Sequence, residues 1–99
     1  MKIPKSFKLF SSVFTVKWDN QKMNDQNIYG ICNYSKKEII LSDLDGIDTI
    51  SEDTRIDTFY HERTHAILDS MGEHDLSKNE KFVDIFSKLL RQADETAKY

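Results

Sequence analysis

The stretch Ser51-Glu52-Asp53-Thr54-Arg55-Ile56-Asp57-Thr58-Phe59-Tyr60-His61-Glu62-Arg63-Thr64-His65-Ala66-Ile67-Leu68-Asp69-Ser70-Met71-Gly72 reads as one helix with both ends marked. Ser51 is a good N-cap, because its hydroxyl can accept from an otherwise unpaired first-turn amide. Glu52 and Asp53 follow where carboxylates favour the positive end of the helix dipole. Gly72 supplies a C′ residue that tolerates left-handed backbone, so the helix should span 51–71. Ile56, Tyr60, Ile67 and Met71 recur on one face at helical spacing.

Downstream, a second helix is expected over 77–95. Its apolar stripe is Phe82, Val83, Phe86, Leu89, Leu90 and Ala93. Upstream, residues 1–50 read mostly as strands. Ser6 to Phe10 and Val13 to Trp18 are two short candidates; in the second, Phe14, Val16 and Trp18 alternate with Val13, Thr15 and Lys17. Asp19 to Asn27 reads as a polar loop. Ile28 to Tyr34 and Glu38 to Ser42 flank Ser35-Lys36-Lys37 as a hairpin, and Asp45-Gly46 centres a turn-rich segment. The expected architecture is a small α+β domain over 1–99. A three- to four-stranded antiparallel sheet is followed by two helices packed on one face.

Ninety-nine residues make about one domain. A chain this short buries only about 60–65% of its unfolded surface, so the core is small. Aromatic content of 11%, with only three glycines and one proline, argues against disorder. No apolar run is longer than three residues, as in Ile39-Ile40-Leu41, too short to span a membrane. Met1-Lys2-Ile3-Pro4-Lys5 leads into no apolar segment of the secretory kind. Cys32 is the only cysteine, which rules out an internal disulfide and fits a reducing cytoplasm. Net charge is −3, with residues 1–24 at +4 and the remaining 75 at −7. Lysines on strands usually keep exposed edges soluble. No aromatic-interleaved basic motif accompanies them, so neither nucleic acid nor membrane is expected as a partner.

The first helix contains His61-Glu62-Arg63-Thr64-His65, an H-E-x-x-H. Histidines at i and i+4 lie one turn apart on one side of a helix. Both imidazoles can then reach one ion at Zn–N distances of about 2.0–2.1 Å. Glu62 is displaced around the helix, so it can hold a water without ligating. With three histidines and six glutamates in the chain, chance produces this motif on the order of once in a few hundred such sequences. A catalytic zinc needs a third protein ligand and leaves the fourth position open. The metzincin continuation fails, because Leu68 and Met71 stand where its glycine and third histidine belong. Asp69, Glu73, His74, Glu80 and Asp84 are the candidates. Asp69 lies too far around the same helix to converge easily. Glu80 is the strongest, since an antiparallel helix pair brings it opposite the histidines. Its alternative role is in a Ser77-Lys78-Asn79-Glu80 capping box.

The segment His61 to Asp69 resembles the active-site helix of the gluzincins, the thermolysin-like zinc metallopeptidases. Asn79-Glu80-Lys81-Phe82-Val83-Asp84 resembles their N-E-x-x-x-D motif. The match covers residues 56–90, and the size resembles minimal gluzincins and small phage-type relatives of ImmA/IrrE metallopeptidases. The resemblance implies a zincin-like fold and hydrolysis of a peptide or protein substrate. It makes His61, His65 and Glu80 the Zn²⁺ ligands, Glu62 the general base on water held by the ion, and Asp84 a partner that orients a ligating histidine. Larger members take a transition-state electrophile from a helical subdomain further downstream. Here His74, Tyr60, Arg63 or Tyr34 is left to fill that role.

The competing reading is a zinc-stabilised binding or regulatory module without turnover, its fourth position closed by His74 or Asp69. Cys32 reads as a buried strand residue. Trp18 reads as an anchor of the sheet against the helices, and the Arg63 stem as cover for apolar surface or a substrate contact.

Overall fold

A computed structural model describes residues 3–99. Ten elements run in order: β1 (Ser6–Leu9), β2 (Ser12–Trp18), α1 (Asn20–Asp25), β3 (Gly30–Asn33), β4 (Glu38–Leu41), β5 (Leu44–Asp45), β6 (Asp48–Thr49), α2 (Glu52–Ser70), α3 (His74–Ser77) and α4 (Glu80–Thr96). The α+β class is as expected. The sheet is mixed rather than antiparallel: its order is β1-β2-β4-β3, and β2 pairs β4 in parallel. The reason lies in Asp19–Asn27, which is not a loop. Asp19 caps α1 by accepting from Lys22 N at 3.0 Å, and Met23 is buried. This short helix carries the chain across the sheet, so β3 is laid down outside β4. Five polar residues around a single Met23 show no helical period, so the element is invisible in sequence.

β4 is central, with β2 on one side and β3 on the other. That position explains the run Ile39-Ile40-Leu41, all buried; strands covered on both faces lose the apolar-polar alternation. Ile39 and Leu41 join Val16, Ile56, Phe59 and Tyr60 in the core beneath α2. Ile40 points to the opposite face, where α1 packs on β4. Trp18 does not anchor the sheet, being about half exposed at the end of β2. Phe14 does: its ring stacks on Phe7 at 5.4 Å, and Phe7 meets Phe59 of α2 edge-on at 6.1 Å.

The helix caps of α2 follow the sequence. Ser51 Oγ accepts from Thr54 N at 3.1 Å, and Gly72 takes a φ of +77° just beyond the Met71 cap. Ile56 and Tyr60 are buried, but Met71 is exposed because it lies past the last turn. The second helix differs more. Its N-cap is Asn79, which accepts from Phe82 N at 3.1 Å, while Ser77 closes the extra turn α3 and is buried. Of the expected stripe, Val83 is buried and Leu90 packs against the core, whereas Phe86, Leu89 and Ala93 are exposed. Polar contacts to α2 set the rotation of α4 instead. Arg91 reaches Asp53 Oδ1 at 2.7 Å and Asp57 Oδ1 at 2.8 Å, and Tyr60 donates its hydroxyl hydrogen to Asp94 Oδ2 at 2.8 Å.

β3 lies close against α2, and Gly30 makes this approach possible. A Cβ there would sit 2.6 Å from Thr58 Cγ2 and 3.0 Å from Leu41 Cδ2. Gly30→Ala is therefore expected to force β3 away from α2 and cost about 1–3 kcal/mol. Urea denaturation followed by circular dichroism measures that loss as a lower midpoint.

Candidate metal centre

His61 and His65 stand one turn apart on the face of α2 that looks towards the start of α4. Their rings lie 5.0 Å apart. Both turn Nε2 to the Glu80 carboxylate: His61 Nε2 is 3.0 Å from Oε2, and His65 Nε2 is 3.2 Å from Oε1. One donor atom from each of the three residues lies within 4.8 Å of the others. Ligands at about 2.0–2.1 Å from a tetrahedral zinc are separated by about 3.3 Å, so small side-chain shifts would bring all three onto one ion. The donor set, two imidazoles and a carboxylate, suits Zn²⁺. Glu80 does not serve the capping box, because Asn79 has taken the N-cap and frees the carboxylate for the histidines.

The other ring nitrogens are held from behind. Ser77 Oγ is 3.0 Å from His65 Nδ1, and Asp84 Oδ1 is 3.8 Å from His61 Nδ1, an ion-pair distance. A group that engages Nδ1 leaves the Nε2 lone pair free for a ligand and fixes the ring. Asp84 is thus beside His61 but closer to Lys88, whose Nζ lies 3.2 Å from its Oδ2. Ser77 went unrecognised in the sequence, where its spacing signalled only a cap. Burial first lowers the His65 pKa, against the opposing charge of Glu80; this favours the neutral imidazole that metals bind. Asp69 and His74 pair with each other at 3.1 Å. Among the described residues they do not join the cluster, and neither does Glu73.

Glu62 faces the sheet side of the same cleft. Burial first, and the charge of Glu80 second, push its carboxyl up to about 7, while the backbone N–H of Cys32 donates to it and opposes the rise. A base is most useful with its pKa near the working pH. β3 is an edge strand, and Ser42 N donates to Tyr29 O across to it at 2.9 Å. Antiparallel alternation then turns the N–H and C=O of Gly30 and Cys32 away from β4, along the cleft. His61, Glu62 and Gly30 line two adjoining hollows. One of ≈ 300 Å³ is closed by His65, Asp69 and Glu80. The other, of ≈ 450 Å³, runs between Tyr29, Thr58, Asp84 and Lys88. Burial also pushes the Cys32 thiol up to about 12, which favours the protonated form over the thiolate.

The four side chains expected as electrophile candidates are occupied elsewhere. Tyr60 is bonded to Asp94. The Arg63 guanidinium lies over the Tyr60 and Phe59 rings at 4.6 and 5.3 Å. Tyr34 sits under Lys37 Nζ at 3.5 Å, and His74 is paired with Asp69. Tyr29 is the aromatic residue on the cleft wall, its hydroxyl donating to Asp45 Oδ2 at 2.7 Å.

Compared with known proteins, the chain matches no family model, no curated protein and no solved structure. Among the described residues, no helix is long and apolar enough to cross a membrane. Ser77→Ala is expected to leave the fold intact and weaken Zn²⁺ affinity by about 10–100-fold, the usual effect of losing such a ring partner. Competition titration against a chromophoric chelator measures it.

Proposed function

We propose that this chain is a zincin-like peptidase of the gluzincin type, acting on a peptide or protein substrate in the cytoplasm. The observation that carries the reading is the convergence of His61 Nε2, His65 Nε2 and the Glu80 carboxylate on one point beside the half-buried Glu62. His61, His65 and Glu80 would hold the ion. When bound, Zn²⁺ lowers the pKa of a water from 15.7 towards about 7 and polarises a carbonyl. Glu62 accepts the proton of the attacking water and returns it to the departing amine. A substrate in extended conformation adds to the edge of β3, where Gly30 offers its N–H and C=O and Cys32 its C=O, and this lays its scissile bond across Glu62. The three-donor cluster favours catalysis over a purely structural site, since Asp69 and His74, which could have closed the fourth position, hold one another instead.

Glu62→Gln is expected to bind one zinc with unchanged affinity and to lose at least about 100-fold in hydrolysis of a fluorogenic peptide library. Equal turnover by wild type and variant would remove the general-base role. Chelation of the wild type should stop hydrolysis while most of the circular dichroism signal survives. Unfolding on chelation would mark the ion as structural.

A further inference from the structure

The helix α4 is strongly amphipathic in sequence, yet it does not bury the face its apolar residues mark. The side meeting α2 carries Glu80, Val83, Ser87, Arg91 and Asp94, about 100° around the helix from Phe86. Ion pairs and hydrogen bonds from Glu80, Arg91 and Asp94 fix that orientation. The stripe is left outside: Ile85 is 49% exposed, Phe86 45% and Leu89 59%. Phe82 stacks on Phe86 at 5.5 Å, and with Asn79 and Lys81 these residues line a hollow of ≈ 360 Å³.

We propose that this face is a homodimer interface, in which α4 of two copies pack antiparallel about a two-fold axis between Ile85 and Phe86. A two-fold contact needs a patch complementary to itself. The spacing 82, 85, 86, 89 reads the same from either end of the helix. Antiparallel packing therefore sets Phe82 against Leu89 of the second copy, and Ile85 against Phe86 of the second copy. One step further out, Asn79 meets Gln92 and Lys78 meets Ala93, so no like charges are pressed together. Lys88 is drawn aside to Asp84 at 3.2 Å. The antiparallel helix dipoles also attract.

The area fits a dimer that forms and dissociates. The four apolar side chains expose on the order of 300–350 Å² in each copy, about 600–700 Å² between two copies before any polar rim, which is the range of weak, transient association below about 1,200 Å². Glu80 and both histidines lie on the other side of α4, so the interface leaves the cleft uncovered. The dimer is independent of zinc.

Sedimentation velocity from micromolar to about 0.2 mM tests it. The expected result is a concentration-dependent species of about 23 kDa, twice the 11.6 kDa chain. Replacing Ile85→Glu and Leu89→Glu together should raise the dimer dissociation constant at least about tenfold without changing the circular dichroism. In a Cys32→Ser background, Phe86→Cys lies near the axis and should crosslink to itself on oxidation. Phe82→Cys should crosslink only when mixed with Leu89→Cys, which keeps the register testable even if the glutamate variant unfolds. A chain monomeric across the range overturns the proposal. So does a dimer indifferent to the glutamates, or Phe82→Cys crosslinking to itself as readily as Phe86→Cys.

Discussion

The Glu80 carboxylate, spanning two imidazoles one helical turn apart, is the contact around which the helical half is arranged. It ties the start of α4 to the middle of α2. Arg91 repeats the tie at the other end of the pair, where one guanidinium faces Asp53, Asp57 and Glu95. Tyr60 and Asp94 close the seam between them. Polar contacts of this kind are directional, and apolar packing is not. With Val83 and Ser87 buried along the same seam, that set fixes which face of α4 turns inward. Here it brings Glu80 and Asp84 to the histidines and leaves Phe86 and Leu89 outside.

The sheet supplies the other wall of the cleft by a different constraint. β4 is buried on both faces and carries β3 on its outer side, so β3 is an edge that faces α2. Gly30 lets that edge approach to a distance any side chain would forbid. The approach places the Cys32 amide on the Glu62 carboxylate. Burial, the Glu80 charge and that amide together set how readily Glu62 takes a proton. The chemistry assigned to Glu62 thus depends on a glycine in the sheet as much as on the helix that bears it.

Some features were legible because they are local. Ser51 and Gly72 mark the ends of α2 through their own backbone and side-chain preferences. The β3–β4 hairpin follows from two apolar runs around a polar turn. His61, Glu62 and His65 share one helix, so their spacing alone fixes their relation. Glu80 was legible as a candidate but not as a choice, since the same residue could complete a capping box. The decision came from Asn79, which outcompetes Ser77 for the cap once α3 has used Ser77. Other features were hidden for identifiable reasons. α1 is too short for a period, and the parallel β2–β4 pairing depends on where that helix delivers the chain. Ser77 meets His65 across twelve positions with no motif to announce it.

Taken alone, the amino-acid order determined the α2 helix, its caps and the paired histidines with Glu62, because each rests on interactions within a few residues. It also determined that α4 has an apolar stripe. Only the folded chain decided which face of α4 turns to α2, which strand borders the cleft, and which carboxylate meets the imidazoles. Those outcomes are set by contacts between residues distant in sequence, where several local preferences are compatible and three-dimensional geometry selects among them.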